Sequence, residues 1–436
     1  MIKFGTDKWN KGTEIIWDAN RVVNGHFIIV GGSGSGKTFN LRKILRELTS
    51  QNTGIVAHII DVHGDIDVGD DITSTAKFSE TSEVGLQPLK ISYDLDFGGV
   101  RKKIRSLVAM VNNTTRTLGP VQETVFVNLL IDLYRAAGFY QEDSKTWSLN
   151  YDPRKNVKYK KQYPTMGDLK MFAKYKLEQI FTGSNTKAVH KLEVLNKTVK
   201  SIETALRNIT KNQHDEDKVI KLEEKLDKLK GEAKNLYSEY IDSIQTGREL
   251  EDILKYDNME TIKRVYEKID GMLNTGIFKS KKPDFDERKP VKRYDIKSLN
   301  KDEQIMFADI LLEDIFMQAK ERGEQKSVNT FIIIDEAHIF INNEDTHIIN
   351  VIMKEARKFG LGLILASQSF EHFSDDIIAN SASKLILGID EMFQEASAKK
   401  LRIEAKKFKY IIPKKSAMIQ IKNSGSSENK FIDIDF

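Results

Sequence analysis

Cysteine is absent from all 436 residues. That excludes disulfides, thiolate zinc sites, iron–sulfur clusters and cysteine nucleophiles. No run approaches the ~18 consecutive apolar residues that mark a membrane span. Met1 to Gly12 has no apolar h-region, so no secretory signal is visible there. The expectation is a cytoplasmic protein with no membrane span. A dominant charge sign is also lacking, since 68 basic residues face 64 acidic ones for a net charge of +4. Such a balance permits a nucleic-acid partner without requiring one. Three lysine-rich stretches stand out from it: Arg154 to Lys176, Lys279 to Arg293 and Lys399 to Lys415. Each reads either as a phosphate-facing surface or as a solvated face. The hydrophobic fraction, 40%, is high enough for a substantial core.

The chain opens on short strands and turns and reaches a buried strand at Phe27 to Val30. A glycine-rich turn, a helix from about Lys37 to Leu48 and a second apolar strand from Ile55 to Ile60 follow. Strand, loop, helix and strand in that order form a βαβ unit, which points to a parallel sheet. Two helices are expected between Gly98 and Gly138, the second started by Pro120. From Leu192 the apolar residues fall into heptads: Leu192, Leu195, Val199, Ile202, Leu206 and Ile209. After a polar break at Lys211 to Lys218 the pattern resumes as Leu222, Leu226, Leu229, Ala233, Leu236 and Tyr240. This predicts an antiparallel helical hairpin around residues 190–241. The α/β pattern returns near Tyr294, with buried strands at Phe331 to Ile334, Leu361 to Ala366 and Lys384 to Gly388. The expected architecture is a discontinuous α/β core, residues 1–97 and 294–436, split by a helical insertion over 98–293.

Gly31-Gly32-Ser33-Gly34-Ser35-Gly36-Lys37-Thr38 matches G-x-x-x-x-G-K-[ST] between a predicted strand and helix, the context this motif requires. Its backbone N–H groups would cradle phosphates and the helix N-terminus would add its positive end. Lys37 is expected to reach the β- and γ-phosphates of ATP, and Thr38 to ligate Mg²⁺. Phe331 to Ile334 is an apolar strand that delivers Asp335 and Glu336. Asp335 is expected to hold Mg²⁺ and Glu336 to activate the attacking water. An adjacent glutamate favours hydrolysis over mere nucleotide binding. Gln368 ends the next buried strand, where ligand-contacting groups of such sheets collect, and is a candidate contact for the γ-phosphate or the water. Arg357, near a helix end, reads either as a trans-acting arginine finger or as a solvated cation favouring the helix C-terminus. The acids of Asp61-Val62-His63-Gly64-Asp65 could support the metal shell or form a strand-exit turn. His338 and His347 lack a metal constellation and read as structural.

Together these segments resemble the HerA/FtsK superfamily of hexameric DNA-pumping ATPases. The resemblance rests on His26 to Val30 before the phosphate loop, on Asp61 to Asp65, on Leu118 to Gln122 and on Pro164 to Leu169. It extends through Asp335-Glu336-Ala337-His338, Glu355 to Gly360 and Ala366-Ser367-Gln368. It implies a RecA-like P-loop core, a homo-oligomeric ring with nucleotide sites between subunits, and double-stranded DNA in the pore. It also implies a sensor role for Gln368 and a finger role for Arg357, and a nuclease or defence effector as a possible partner. One departure is large. The phosphate loop begins at Gly31, which leaves no room before it for the β-barrel that HerA proteins usually carry, and so puts barrel-mediated docking of a nuclease in doubt. Two other readings stand beside the DNA translocase: an ATPase that assembles and regulates an effector without moving DNA, and a conjugation or secretion ATPase. A superfamily-2 helicase would need Ser-Ala-Thr and Q-x-x-G-R-x-x-R motifs, and an ABC ATPase would need Leu-Ser-Gly-Gly-Gln before the acidic strand. The sequence contains none of these.

Overall fold

A computed structural model describes residues 1–10, 12–51, 54–114, 117–154, 160–182, 186–212, 215–244, 251, 255–256, 258–279, 281–342, 344–426 and 430–436. Parts of several expected features lie outside the described residues: 155–159 and 280 of the basic stretches, 213–214 of the hairpin turn, most of 245–257, and 427–429.

The chain divides into two units. One comprises residues 1–117, 138–166 and 272–436, the other residues 118–137 and 167–271. Residues 98–117, 138–166 and 272–293, which sequence assigns to the insertion, therefore group with the first unit.

The first unit holds eleven strands among its described residues: β1 (Ile2–Asp7), β2 (Glu14–Trp17), β3 (Phe27–Val30), β4 (Val56–Asp61), β5 (Thr73–Lys77), β6 (Val291–Asp295), β7 (Thr330–Ile334), β8 (Leu361–Ser367), β9 (Ser383–Ile386), β10 (Ser416–Ile421) and β11 (Ile432–Asp435). They form one sheet in the order β2-β1-β11-β10-β9-β3-β8-β7-β4-β6-β5. From β9 to β5 every pairing is parallel, and from β9 to β2 every pairing is antiparallel. Every residue of β3, β7 and β8 is buried, as expected for parallel strands covered on both faces. These strands read as unbroken apolar runs for that reason.

Helix α1 (Lys37–Gln51) follows β3, and α2 (Val100–Thr114) belongs to the same unit. The second unit contains α3 (Pro120–Ala136), most of α4 (Met166–Thr182), α5 (Thr186–Lys211), α6 (Glu216–Ser243) and most of α7 (Met259–Leu273). Returning to the first unit, α8 (Lys301–Glu321), α9 (Ile348–Glu355), α10 (Asp375–Asn380) and α11 (Glu391–Leu401) complete the helices. Leu41, Ile44 and Leu45 of α1 pack with Phe4, Trp17, Phe27 and Phe331 in a core cluster against the sheet. Trp17 satisfies its indole N–H on Ser383 Oγ at 2.8 Å. Helix α8 adds a second aromatic group, with Phe307 4.5 Å from Phe78.

In the second unit, α5 and α6 pack along each other as an antiparallel pair. Lys191, early in α5, bonds Glu239, late in α6. The α6 seam follows the predicted heptad, with Leu226 buried and Leu222, Leu229, Ala233, Leu236 and Tyr240 half-buried. The α5 seam follows it at Leu192, Leu195, Ile202 and Ile209, which are half-buried, and departs from it at two positions. Val199 and Leu206 are exposed, and Thr198 and Ala205 take the inner positions one residue earlier. Ala188 and Ala205 are buried there, where a small side chain permits close approach. The unit also buries Asp132, which accepts from Lys255 Nζ and Tyr256 OH, each at 2.8 Å.

Candidate active site

Strand register brings the candidate residues to one sheet edge. Val30 of β3 is level with Ser367 of β8, and Ile334 of β7 with Leu365. The strand bearing Gln368 therefore lies between the strand entering the phosphate loop and the strand delivering the two acids. Neighbouring strands are about 4.8 Å apart, so the loop and the acids stand roughly 10 Å apart along the edge.

The phosphate loop is pinned by its backbone. Gly31 N–H donates to Ser367 O at 3.1 Å, and Gly32 N–H to Gly388 O at 2.8 Å. Gly36 has φ +102°, a conformation that L side chains rarely adopt. At Gly31 a Cβ would stand 2.3 Å from Ser35 Oγ. Lys37 is buried and donates to Gly31 O at 2.8 Å. Ser35 Oγ is buried with no hydrogen-bond partner among the described residues. A buried ammonium and an orphaned hydroxyl in one glycine-rich cradle suit an anionic phosphate group. Thr38, at the first turn of α1, is half-buried.

Asp335 is 4% exposed. Its carboxyl is pushed up to about 6, first by burial and then by the charge of Glu336 and, less, of Asp65; the Glu336 N–H and Lys37 pull the other way. A carboxylate in that position gains strongly from a divalent cation, so Asp335 and Thr38 fit a Mg²⁺. Glu336 is also buried and adopts φ 51°, ψ 47°. That left-handed conformation costs a non-glycine residue roughly 1–2 kcal/mol. Strain of this kind concentrates at functional sites. Gln368 Nε2 reaches Glu336 Oε2 at a long 3.5 Å.

Two histidines complete the setting of Glu336. His338 Nδ1 lies 3.2 Å from Glu336 Oε2, and its ring is 4.9 Å from that of His372. His372 Nδ1 lies 2.7 Å from Ser367 Oγ and is lowered, first by burial and then by His338. His338 has no metal constellation among the described residues, as expected, but its ring contacts the acid expected to activate water. Its one sequence signal is its position two residues after Glu336. His372 carried none. His347 pairs with buried Asp309 at 3.2 Å, away from these groups.

Of its two readings, Asp61 takes the strand-exit turn. One oxygen accepts from Gly64 N–H at 2.8 Å. The other takes Ile66 N–H at 3.1 Å and two Arg293 nitrogens, Nε at 2.8 Å and Nη2 at 2.6 Å. Both oxygens of this carboxylate are engaged in bracing its turn. Asp65 is exposed and close enough to influence Asp335. Arg357 sits on a 3₁₀ turn (Ala356–Phe359) before β8, not on a continuous helix. Because β8 runs parallel to β3, Arg357 stands at the opposite end of the sheet from Gln368. Seven strand residues at ~3.3 Å each separate the two by roughly 20 Å. Arg357 is exposed there, beside a cavity of about 720 Å³.

A mostly parallel sheet, a phosphate loop after β3 and paired acids after β7 define a RecA-like P-loop fold. Residues 2–98 match the family model described as "Helicase HerA, central domain". A Methanocaldococcus jannaschii protein named "Probable helicase MJECL08" is 30% identical over 191 residues, 39% of this chain and 36% of that protein. The Pyrococcus furiosus "DNA double-strand break repair helicase HerA" is 32% identical over 81 residues, 18% of this chain and 15% of its own length. The chain thus spans about a third or less of these relatives. The solved structure of VirB4 from Thermoanaerobacter pseudethanolicus shares the fold, with a TM-score of 0.63 at 14% identity, over 100% of this chain and 96% of that one. Residues 2–98 are thus similar to the HerA central domain, and the chain is similar over part of its length to proteins named as helicases. No helix among the described residues is long and apolar enough to cross a membrane.

Proposed function

We propose that this chain hydrolyses ATP and couples turnover to movement on double-stranded DNA as a ring. One observation carries the hydrolytic part: the register of β3, β8 and β7, which sets the phosphate loop, Gln368 and the Asp335–Glu336 pair along one edge. Lys37 and the N–H groups of residues 31–38 bind the β- and γ-phosphates. Asp335 and Thr38 hold Mg²⁺, which supplies charge neutralisation to the phosphates when bound. Glu336 accepts the proton of the water that attacks the γ-phosphorus. Gln368 orients that water or contacts the γ-phosphate, and its contact with Glu336 suits either task. Arg357 serves a neighbouring subunit, because it stands at the far end of its own sheet. DNA as the substrate rests on the HerA-like match and the basic stretches.

The test measures ATP turnover together with ATP-driven displacement of a triplex-forming strand from a duplex. Lys37→Ala is expected to abolish nucleotide binding or turnover. Mixing Arg357→Ala with Glu336→Gln subunits is expected to restore part of the activity. No restoration in verified mixed rings would remove the finger assignment. A ring that turns over ATP without displacing the third strand would leave the hydrolase standing and replace the motor by an assembly ATPase.

A further inference from the structure

A second basic site lies in the first unit, away from the phosphate loop. Lys384 of β9 is 2% exposed, yet no carboxylate among the described residues pairs with it. Its ammonium donates to Ser381 O at 2.9 Å and to Gln420 Oε1 at 3.1 Å, which leaves one N–H for another acceptor. It lines a cavity of about 820 Å³ between β9, β10, α10 and α11. Lys399, Lys400, Arg402 and Lys422 line the same cavity. Lys400 donates to the carbonyls of Phe373 and Glu371, and Lys422 to that of Ala379. Glu371 and Asp375 share the wall, but neither forms an ion pair with any of the five cations. None of the lining residues belongs to the phosphate-loop site.

We propose that this cavity binds a phosphate group, with Lys384 at its floor and Lys399 and Arg402 at its rim. Five cations converge on it against two acids, and one cation is buried without a countercharge. Such an arrangement is costly in isolation and is relieved by an anion. Burial, and after it the charge of Lys422, lowers Lys384 to about 7, and an anion in the cavity would raise it again. An apolar residue could fill the same volume in the strand without that cost, so packing alone does not account for the lysine. The phosphate can come from a nucleic-acid backbone or from a free phosphate or pyrophosphate.

The experiment uses the full chain carrying Lys37→Ala, without nucleotide, so that failure of the ATPase reading leaves it unaffected. Binding of a fluorescein-labelled duplex is followed by anisotropy at two salt concentrations. Inorganic phosphate and pyrophosphate are titrated by calorimetry. Each is repeated with Lys384→Met added and, separately, with Lys399→Gln and Arg402→Gln added together. The rim pair is exposed and keeps the test valid if Lys384→Met fails to fold. If the source is a nucleic acid, the rim pair weakens duplex binding about tenfold and lowers the salt slope by about 2. If the source is a free anion, phosphate or pyrophosphate binding is lost in the variants while duplex binding is unchanged. Absence of binding by all three ligands, or binding equal in the parent and the rim variant, overturns the proposal.

Discussion

In β7 all five residues are buried, and their partners in β4 and β8 come from opposite ends of the chain. In α6 one residue of 28, Leu226, is fully buried, and the partner helix α5 ends a few residues before α6 begins. The sheet unit is built from distant segments and tolerates little exposure. The hairpin unit is built from neighbours and leaves most of its surface to water. Burial at the sheet edge is what perturbs Asp335, next to Glu336 in its left-handed conformation, so chemistry can be tuned there. No group described in the α5–α6 pair is comparably buried and charged. If turnover takes place at the sheet edge, the hairpin is expected to be dispensable for it.

The same contrast governs what sequence could reveal. β3, β7 and β8 are legible because burial on both faces requires an unbroken apolar run. β5, with the sequence Thr73-Ser74-Thr75-Ala76-Lys77, is polar and lies at the sheet's end, so no periodic signal marks it. The α6 seam is legible as heptads. The α5 seam is displaced at two positions because apolar spacing counts Val199 and Leu206 and passes over Thr198 and Ala205. The phosphate loop and the two acids announce themselves by local motif. The Asp61–Arg293 pair and the His338–His372 contact join segments that only the folded register brings together.

The largest effect is expected at the sheet edge. Glu336→Gln should lower ATP turnover by about a hundredfold or more, on the scale of losing a general base, while ATP still binds and is retained. Filter retention of labelled ATP beside a phosphate-release assay checks this. Normal turnover would refute the role of Glu336. The left-handed backbone remains available to glutamine, so a folding defect is not expected.

Next in size is the brace behind the site. Arg293→Leu leaves Asp61 buried and charged with only two backbone donors. Breaking such a pair costs about 3–5 kcal/mol. Urea unfolding of the sheet unit should shift by that amount. A shift below about 1 kcal/mol would mean that the turn at 61–66 does not depend on the arginine.

Mild acid should also separate the two units. Burial lowers His26 to about 4, and burial with Lys292 and Arg322 lowers His58 to about 3. His26 Nδ1 accepts Leu363 N–H at 3.1 Å and joins β3 to β8 as a neutral ring. Both rings hold fewer protons folded than unfolded, so stability is lost as pH falls from about 6.5 toward 4. Asp335, raised to about 6, works the other way and gains stability over part of that range. Two histidines against one acid leave a net loss of about 2 kcal/mol between pH 7 and 5. His26→Asn should flatten the profile. An unchanged pH dependence in that variant would place the acid lability elsewhere.

The smallest effect tests the hairpin. Leu226 is 7% exposed on a helix pair whose neighbours can relax into the space it leaves. Leu226→Ala should therefore fall at the low end of core truncations, about 2 kcal/mol. The loss should remain local. Hydrogen exchange in α5 and α6 should accelerate, while protection in β3, β7 and β8 stays as before. Turnover should change by less than about twofold, well within 1.4 kcal/mol of barrier. Faster exchange in both units, or a large fall in turnover, would show that the hairpin supports the catalytic edge and would remove the separation between the two regions.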